Sequence, residues 1–166
     1  MSFIKAVLSI IILVLLSQEV YSKGCEKTGE VWICRDIQLE TNKKLPITDV
    51  NLSVRNVKFE NCIIPTVPSG VLNYFKNVKE IDLENSLTQN ITPGAFDGLT
   101  QLNKVHLRRN EISEIKTKVF NFLVNVNELN LHYNHIDKLE GGCFSNMTRL
   151  EILRLGWNKL KYIPEN

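Results

Sequence analysis

An interval of 24 residues constrains this chain more than anything else in it. The stretch "LNKVHLRRNEISEI", residues 102–115, places apolar side chains at Leu102, Val105, Leu107, Ile112 and Ile115, with Asn110 inside the widest gap. That spacing fits neither one helix nor one strand. The arrangement returns 24 residues on in "VNELNLHYNHIDKL" at 126–139, and again in "LEILRLGWNKLKYI" at 150–163. Asn110, Asn134 and Asn158 keep one phase, as do Phe96, Phe120 and Phe144. Two earlier copies are looser. "VKEIDLENSLTQNI" at 78–91 has Ser86 at the asparagine position, and "VRNVKFENCIIPTV" at 54–67 has Cys62 there. A period of this length marks a stack of units, none able to bury its apolar edge alone.

The pattern L-x-x-L-x-L-x-x-N/C-x-L-x-x-L followed by F-x-x-L resembles the leucine-rich repeat family, in the 24-residue form common in extracellular proteins. Four full units and one partial unit cover residues 54–166. The resemblance implies an α/β fold class: a right-handed leucine-rich repeat solenoid with a parallel sheet on the concave face. Helical or irregular segments are expected on the other face. Val105 and Leu107 then point inward at period two. The Asn110 amide has two donors and two acceptor lone pairs, and is expected to satisfy backbone groups of its own coil and the next. Ile112 and Ile115 re-enter the core, and Phe120 and Leu123 close the far side.

Ahead of the repeats, residues 1–22 carry Lys5, an apolar run from Ala6 to Leu16 broken by Ser9, and the small residue Ser22. This is the layout of a secretory signal peptide cut after "VYS". The run is well short of the ~20 residues of a spanning helix, so no membrane span is expected in the mature chain. The remaining 144 residues suit one domain, with 23–53 as an N-terminal cap region. Net charge is +2, and basic runs stop at the pairs 43–44 and 108–109, so no nucleic-acid partner is expected.

Cys25, Cys34, Cys62 and Cys143 allow three pairings in an oxidising compartment. Within the implied solenoid, Cys62 occupies the position where the family admits cysteine, and Cys143 the small slot held elsewhere by Ala95 and Val119. Both are expected as buried free thiols about three coils apart. Cys25 and Cys34 are the expected disulfide, stabilising by ~3 kcal/mol. Extracellular members of the family often carry such a cap, usually with four cysteines. Trp32 and Trp157 are expected as packing residues. The sequence stops at "YIPEN" without a polar cap. A truncated product is the expectation, a partner covering that edge the other option.

Strand alternation assigns the outward side chains of the sheet. The candidate partner-binding set is Lys58, Glu60, Glu80, Asp82, Glu84, Lys104, His106, Arg108, Glu128, Asn130, His132 and Arg154. Parallel strands lie ~4.8 Å apart, so the pairs Glu80–Lys104, Asp82–His106 and Glu84–Arg108 are expected to meet. Asn51, Asn90 and Asn146 begin N-x-S/T glycan acceptors placed off the sheet strands. Five strands offer fifteen outward positions, fewer than the ~20–30 residues of a standard interface.

No G-x-S-x-G, H-E-x-x-H or P-loop occurs. The expected product is a secreted, non-catalytic binding module without a cofactor, recognising an extracellular protein. The resemblance implies roles in innate immunity, signalling or adhesion. The short cap and "VKFENCIIPTVPSGVL" are similar to insect secreted leucine-rich immune proteins. The alternative is an assembly subunit that self-associates through its C-terminal edge or through Cys143. A metal site around His106 and His132 is a remote third.

Overall fold

Alternation of apolar and polar residues gives each repeat one strand with a buried and an open side. The computed structural model describes residues 24–39, 45 and 54–164. The signal segment 1–22 and the acceptor Asn51 lie outside the described residues. Eleven short strands follow in chain order: β1 (Gly24–Thr28), β2 (Val31–Arg35), β3 (Asn56–Glu60), β4 (Thr66–Val67), β5 (Glu80–Asp82), β6 (Asn90–Ile91), β7 (Lys104–His106), β8 (Glu114–Ile115), β9 (Glu128–Asn130), β10 (Lys138–Leu139) and β11 (Ile152–Arg154).

Seven of them form one sheet in the order β1-β2-β3-β5-β7-β9-β11. All neighbours are parallel except β1 and β2. The 24-residue phase holds through the register: Glu80 lies beside Lys104, and Lys104 beside Glu128. Val57, Phe59, Ile81, Leu83, Val105, Leu107, Leu129 and Leu131 are all buried, as alternation requires. On the return side, β4 pairs with β6 and β8 with β10. The only helical element among the described residues is a 3-10 turn, Asn73–Phe75. The far side is therefore turns and short strands rather than helices. Phe96, Phe120 and Phe144 stack along it at centroid separations of 6.0 and 5.9 Å.

The asparagines tie the coils together, in a direction opposite to the expected one. Asn110 Oδ1 accepts from the backbone N–H groups of Ser86 (3.0 Å) and Thr88 (2.9 Å). Its Nδ2 donates to the carbonyls of Leu83 (2.8 Å) and Leu107 (3.0 Å). It thus serves its own coil and the preceding one, not the next. Asn134 and Asn158 repeat this with Ile112 and Ile136 as donors. Cys62 does part of the same work, its thiol donating to the Cys34 carbonyl at 3.3 Å. Ser86 is too short for it. The Ile64 N–H goes to the Ser86 carbonyl instead (2.8 Å), and the buried Ser86 hydroxyl has no partner.

The residue before each of these positions is left-handed: Asn61, Asn85, Arg109, Tyr133 and Trp157 have φ of 52, 57, 55, 55 and 56°. Asparagine tolerates that region; arginine and the aromatics do so at a cost.

The cap is a hairpin, β1 and β2, turning at Gly29 with φ 63°. Cys25 and Cys34 face each other across it and form the expected disulfide. Trp32 and Cys34 point inward over Val57 and Phe59, so β2 extends the sheet one strand beyond the repeats. Cys62 and Cys143 are free and buried. At the other edge, Leu153 is 37% exposed where Leu129 of the previous coil is 0%. Among the described residues no helix is long and apolar enough to cross a membrane.

Candidate functional site

The open side of the sheet carries the charged set. Each of its twelve candidate residues is partly or fully solvent-accessible, on the side opposite the core. Two of the three expected pairs exchange partners. His106 Nε2 lies 3.4 Å from Glu80, not against Asp82. Lys104 reaches Glu128 at 3.8 Å, on the strand after it. Only Arg108–Glu84 keeps the expected partners, at 3.7 Å. The cause is local. The short Asp82 carboxylate folds back to accept the Glu84 backbone N–H at 2.9 Å, and Asn130, two coils on, does the same with His132 at 3.1 Å. That leaves His106 to the longer Glu80 side chain.

At the cap end, Glu60 accepts from Lys58 (3.1 Å) and from Arg35 Nε (2.9 Å). Lys58, then Arg35, hold its carboxyl below the usual carboxylate range against the opposing effect of burial. Arg35 also pairs with Glu26. The sequence reading missed Arg35, because β2 does not carry the repeat.

At the other end the sheet forms an open hollow of about 640 Å³. Its lining is polar at Arg108, Glu128, Asn130, His132 and Arg154 and apolar at Leu153 and Leu155, with Gly156 between the two kinds. A Cβ on Gly156 would stand 2.6 Å from His132 Cε1, so the glycine lets the imidazole lie against the strand end. Glu128 is shared, accepting from Arg154 at 3.3 Å as well as facing Lys104.

Beside the hollow stand two exposed aromatics. Tyr133 and Trp157 stack at 5.2 Å with planes 17° apart. The Arg108 guanidinium lies 5.4 Å from the Tyr133 centroid, and His132 meets Tyr133 edge-on at 4.5 Å. Trp157 is 72% exposed, which corrects its reading as a packing residue. The signal was available: one 24-residue step carries the left-handed position from Asn85 to Arg109, Tyr133 and Trp157. A side chain there stands out from the turn instead of entering the core.

Asn90 and Asn146 are both exposed, and neither lies on the seven-stranded sheet. Burial pushes the Cys143 thiol up to about 11 and raises that of Cys62. With 4% of its surface exposed, Cys143 cannot reach a second chain while folded, which removes it as a route to self-association. Among the described residues no three His, Cys, Asp or Glu side chains gather as a metal site would need, around His106 and His132 or elsewhere.

Comparison with known proteins agrees with this architecture. The family model described as leucine rich repeat matches residues 100–160. No curated protein is a sequence match. Among solved structures, the LRIM1/APL1C complex superposes with a TM-score of 0.71 at 20% identity, covering 85% of this chain and 27% of that one. The APL1 leucine-rich repeat domain gives 0.69 at 22%, covering 80% and 36%. A TLR13 complex with single-stranded RNA gives 0.67 at 21%, covering 77% and 18%. At these identities the likeness is one of fold, and the chain spans about a third or less of each neighbour. Repeat, asparagine ladder and shared solenoid give the chain a leucine-rich repeat fold, and residues 100–160 match the model of that family.

Proposed function

We propose that this chain is a secreted, non-catalytic module that binds an extracellular protein through the concave face of its sheet, in innate immunity, signalling or adhesion. The observation that carries the reading is the segregation of surfaces. The concave wall is continuous over seven strands, polar from β3 to β9 with Val31, Ile33 and Ile152 towards its two ends, and free of glycan acceptors among the described residues, while Asn90 and Asn146 stand exposed off it. The signal-like leader and the Cys25–Cys34 bond suit an oxidising, extracellular setting. One of the structural neighbours is, by its description, the LRIM1/APL1C complex.

Photo-crosslinking tests it. A benzophenone amino acid at Glu80 or Lys104 on the wall, or at Phe122 on the far side, is exposed to extracellular fluid of the source tissue. A protein captured from Glu80 and Lys104 but not from Phe122 is the expected result. Capture from Phe122 alone refutes the assignment.

A second reading, an assembly subunit pairing through its C-terminal edge, draws on the exposure of Ile152, Leu153, Tyr162 and Ile163 there. Sedimentation distinguishes it: a dimer lost in Leu153→Asp supports assembly, and a monomer at high concentration rejects it.

A further inference from the structure

We propose that the hollow across β7, β9 and β11 is the docking point for an acidic segment of the partner protein, anchored by the Tyr133–Trp157 stack. This rests on the reading of the concave wall as the partner surface and names the chemistry that it selects.

Charge distribution is the first support. Along β3, β5 and the turns that follow them, Lys58 stands against Glu60, Glu80, Asp82 and Glu84. Along β7, β9, β11 and their turns as far as Asn110, Asn134 and Asn158, Lys104, Arg108, Arg109 and Arg154 stand against Glu128. The wall is polarised, and the hollow lies in its cationic half. Glu84 is drawn to both Arg108 and Arg109, at 3.7 and 3.8 Å, and Glu128 to both Lys104 and Arg154. Neither carboxylate neutralises both of its cations.

Arg108 is the second. Its contacts are the Tyr133 ring and a carboxylate at 3.7 Å, beyond hydrogen-bond length. Its Nε is shielded from solvent and has no acceptor. The shielded Nε is out of reach of an incoming ligand, but the guanidinium, held by stacking and part-exposed, presents its terminal Nη donors, which a carboxylate takes end-on through two hydrogen bonds. Arg154 stands two strands away and two residues back, about 12 Å across the hollow at ordinary strand spacing and rise. A short extended segment with two carboxylates spans that gap.

Backbone strain is the third. Tyr133 and Trp157 hold left-handed backbone where the first two coils use Asn61 and Asn85. Folding favours asparagine at such a position, so the rings are present against a local cost. Trp, Tyr and Arg are the residue types that concentrate binding energy at protein interfaces. Here they form one continuous stack, Arg108–Tyr133–Trp157, with Trp157 largely open to solvent.

The probe is a fluorescein-labelled heptapeptide with four glutamates flanking one phenylalanine, followed by anisotropy on the full chain. Its counterpart carries four glutamines. The glutamate peptide is expected to bind at least tenfold more tightly than the glutamine peptide, and to weaken as salt rises. Arg108→Gln and Trp157→Ala each reduce its affinity at least tenfold, while Lys138→Gln, on the far side, leaves it unchanged. Circular dichroism melts establish that the variants are folded. Because Trp157 is exposed, Trp157→Ala keeps the test available should Arg108→Gln misfold. Equal affinity for the two peptides, no binding at millimolar concentration, or indifference to both substitutions overturns the assignment. Self-association abolished by Arg108→Gln also overturns it, by making the acidic half of a second copy the occupant. If the peptide fails while a partner still cross-links to Glu80 and Lys104, the acidic assignment alone falls. If nothing cross-links to the wall, the broader reading falls too.

Discussion

Replacing Asn110 by alanine removes the most connected side chain of the ladder. Asn110 is 5% exposed. Its amide answers two backbone N–H groups, of Ser86 and Thr88, and the carbonyls of Leu83 and Leu107. The substitution strands those two donors in a place built to exclude water. A buried polar group left without a partner costs about 1–3 kcal/mol. Two donors give a range of about 2–6 kcal/mol, and partial collapse of the turn brings the expectation to about 3 kcal/mol. That is a large share of the roughly 5–15 kcal/mol that holds a domain together. Urea titration measures it as a fall in midpoint at constant slope. Amide exchange adds a positional check. The Ser86 and Thr88 amides lose protection, while the Ile112 amide, held by Asn134 Oδ1 at 3.1 Å, keeps it. A loss below about 1 kcal/mol, or unchanged exchange at Ser86 and Thr88, refutes the idea that the asparagine side chain joins the coils.

Other expectations follow from the same geometry. Arg109→Asn relieves a left-handed arginine at the cost of a weak exposed contact with Glu84, so stability rises by about 0.5–1 kcal/mol; thermal melting detects the gain of a few degrees, and a fall contradicts it. Native protein at neutral pH leaves both Cys62 and Cys143 unmodified by iodoacetamide, whereas denatured protein reacts at two thiols; a native reaction at Cys143 shows the slot to be open. Glu60 has a folded pKa below its unfolded one, so its contribution is present above the ordinary carboxylate range and is lost as pH falls through the folded value. Glu60→Gln should therefore melt lower than the parent at neutral pH and converge with it in acid, and parallel melting curves across that range contradict the pairing.

How far the structure was legible depends on whether a feature obeys the period. Leu102, Val105, Leu107, Ile112 and Ile115 mark one coil, and their recurrence places the buried positions of the strands and of the return side from 54 onward up to the exposed last coil. The outward set followed from the same alternation, and the structure puts those residues on the open wall. Of their partners only Glu84–Arg108 followed, because pairing depends on side-chain length and competition: Asp82 is claimed by its own strand end, so His106 turns to Glu80. The strand "VWICR" was missed because five residues outside the repeat give no period to read. The direction of the asparagine bonds is equally absent from the letters, since one amide can serve either neighbour. Trp157 misled for another reason. Tryptophan ordinarily means burial, and only its place one residue before Asn158, in the left-handed turn position, turns it outward.

The most direct test of the central claim is a pair of glycan wedges, assayed against the protein captured by crosslinking. Lys104→Asn with His106→Thr creates an acceptor in the middle of the concave wall. Phe122→Asn with Val124→Thr creates one on the far side, where both residues are exposed. With the two glycoproteins equally folded, the wall glycan should abolish partner binding and the far-side glycan should leave it intact. Binding that survives the wall glycan and fails with the other would contradict the account.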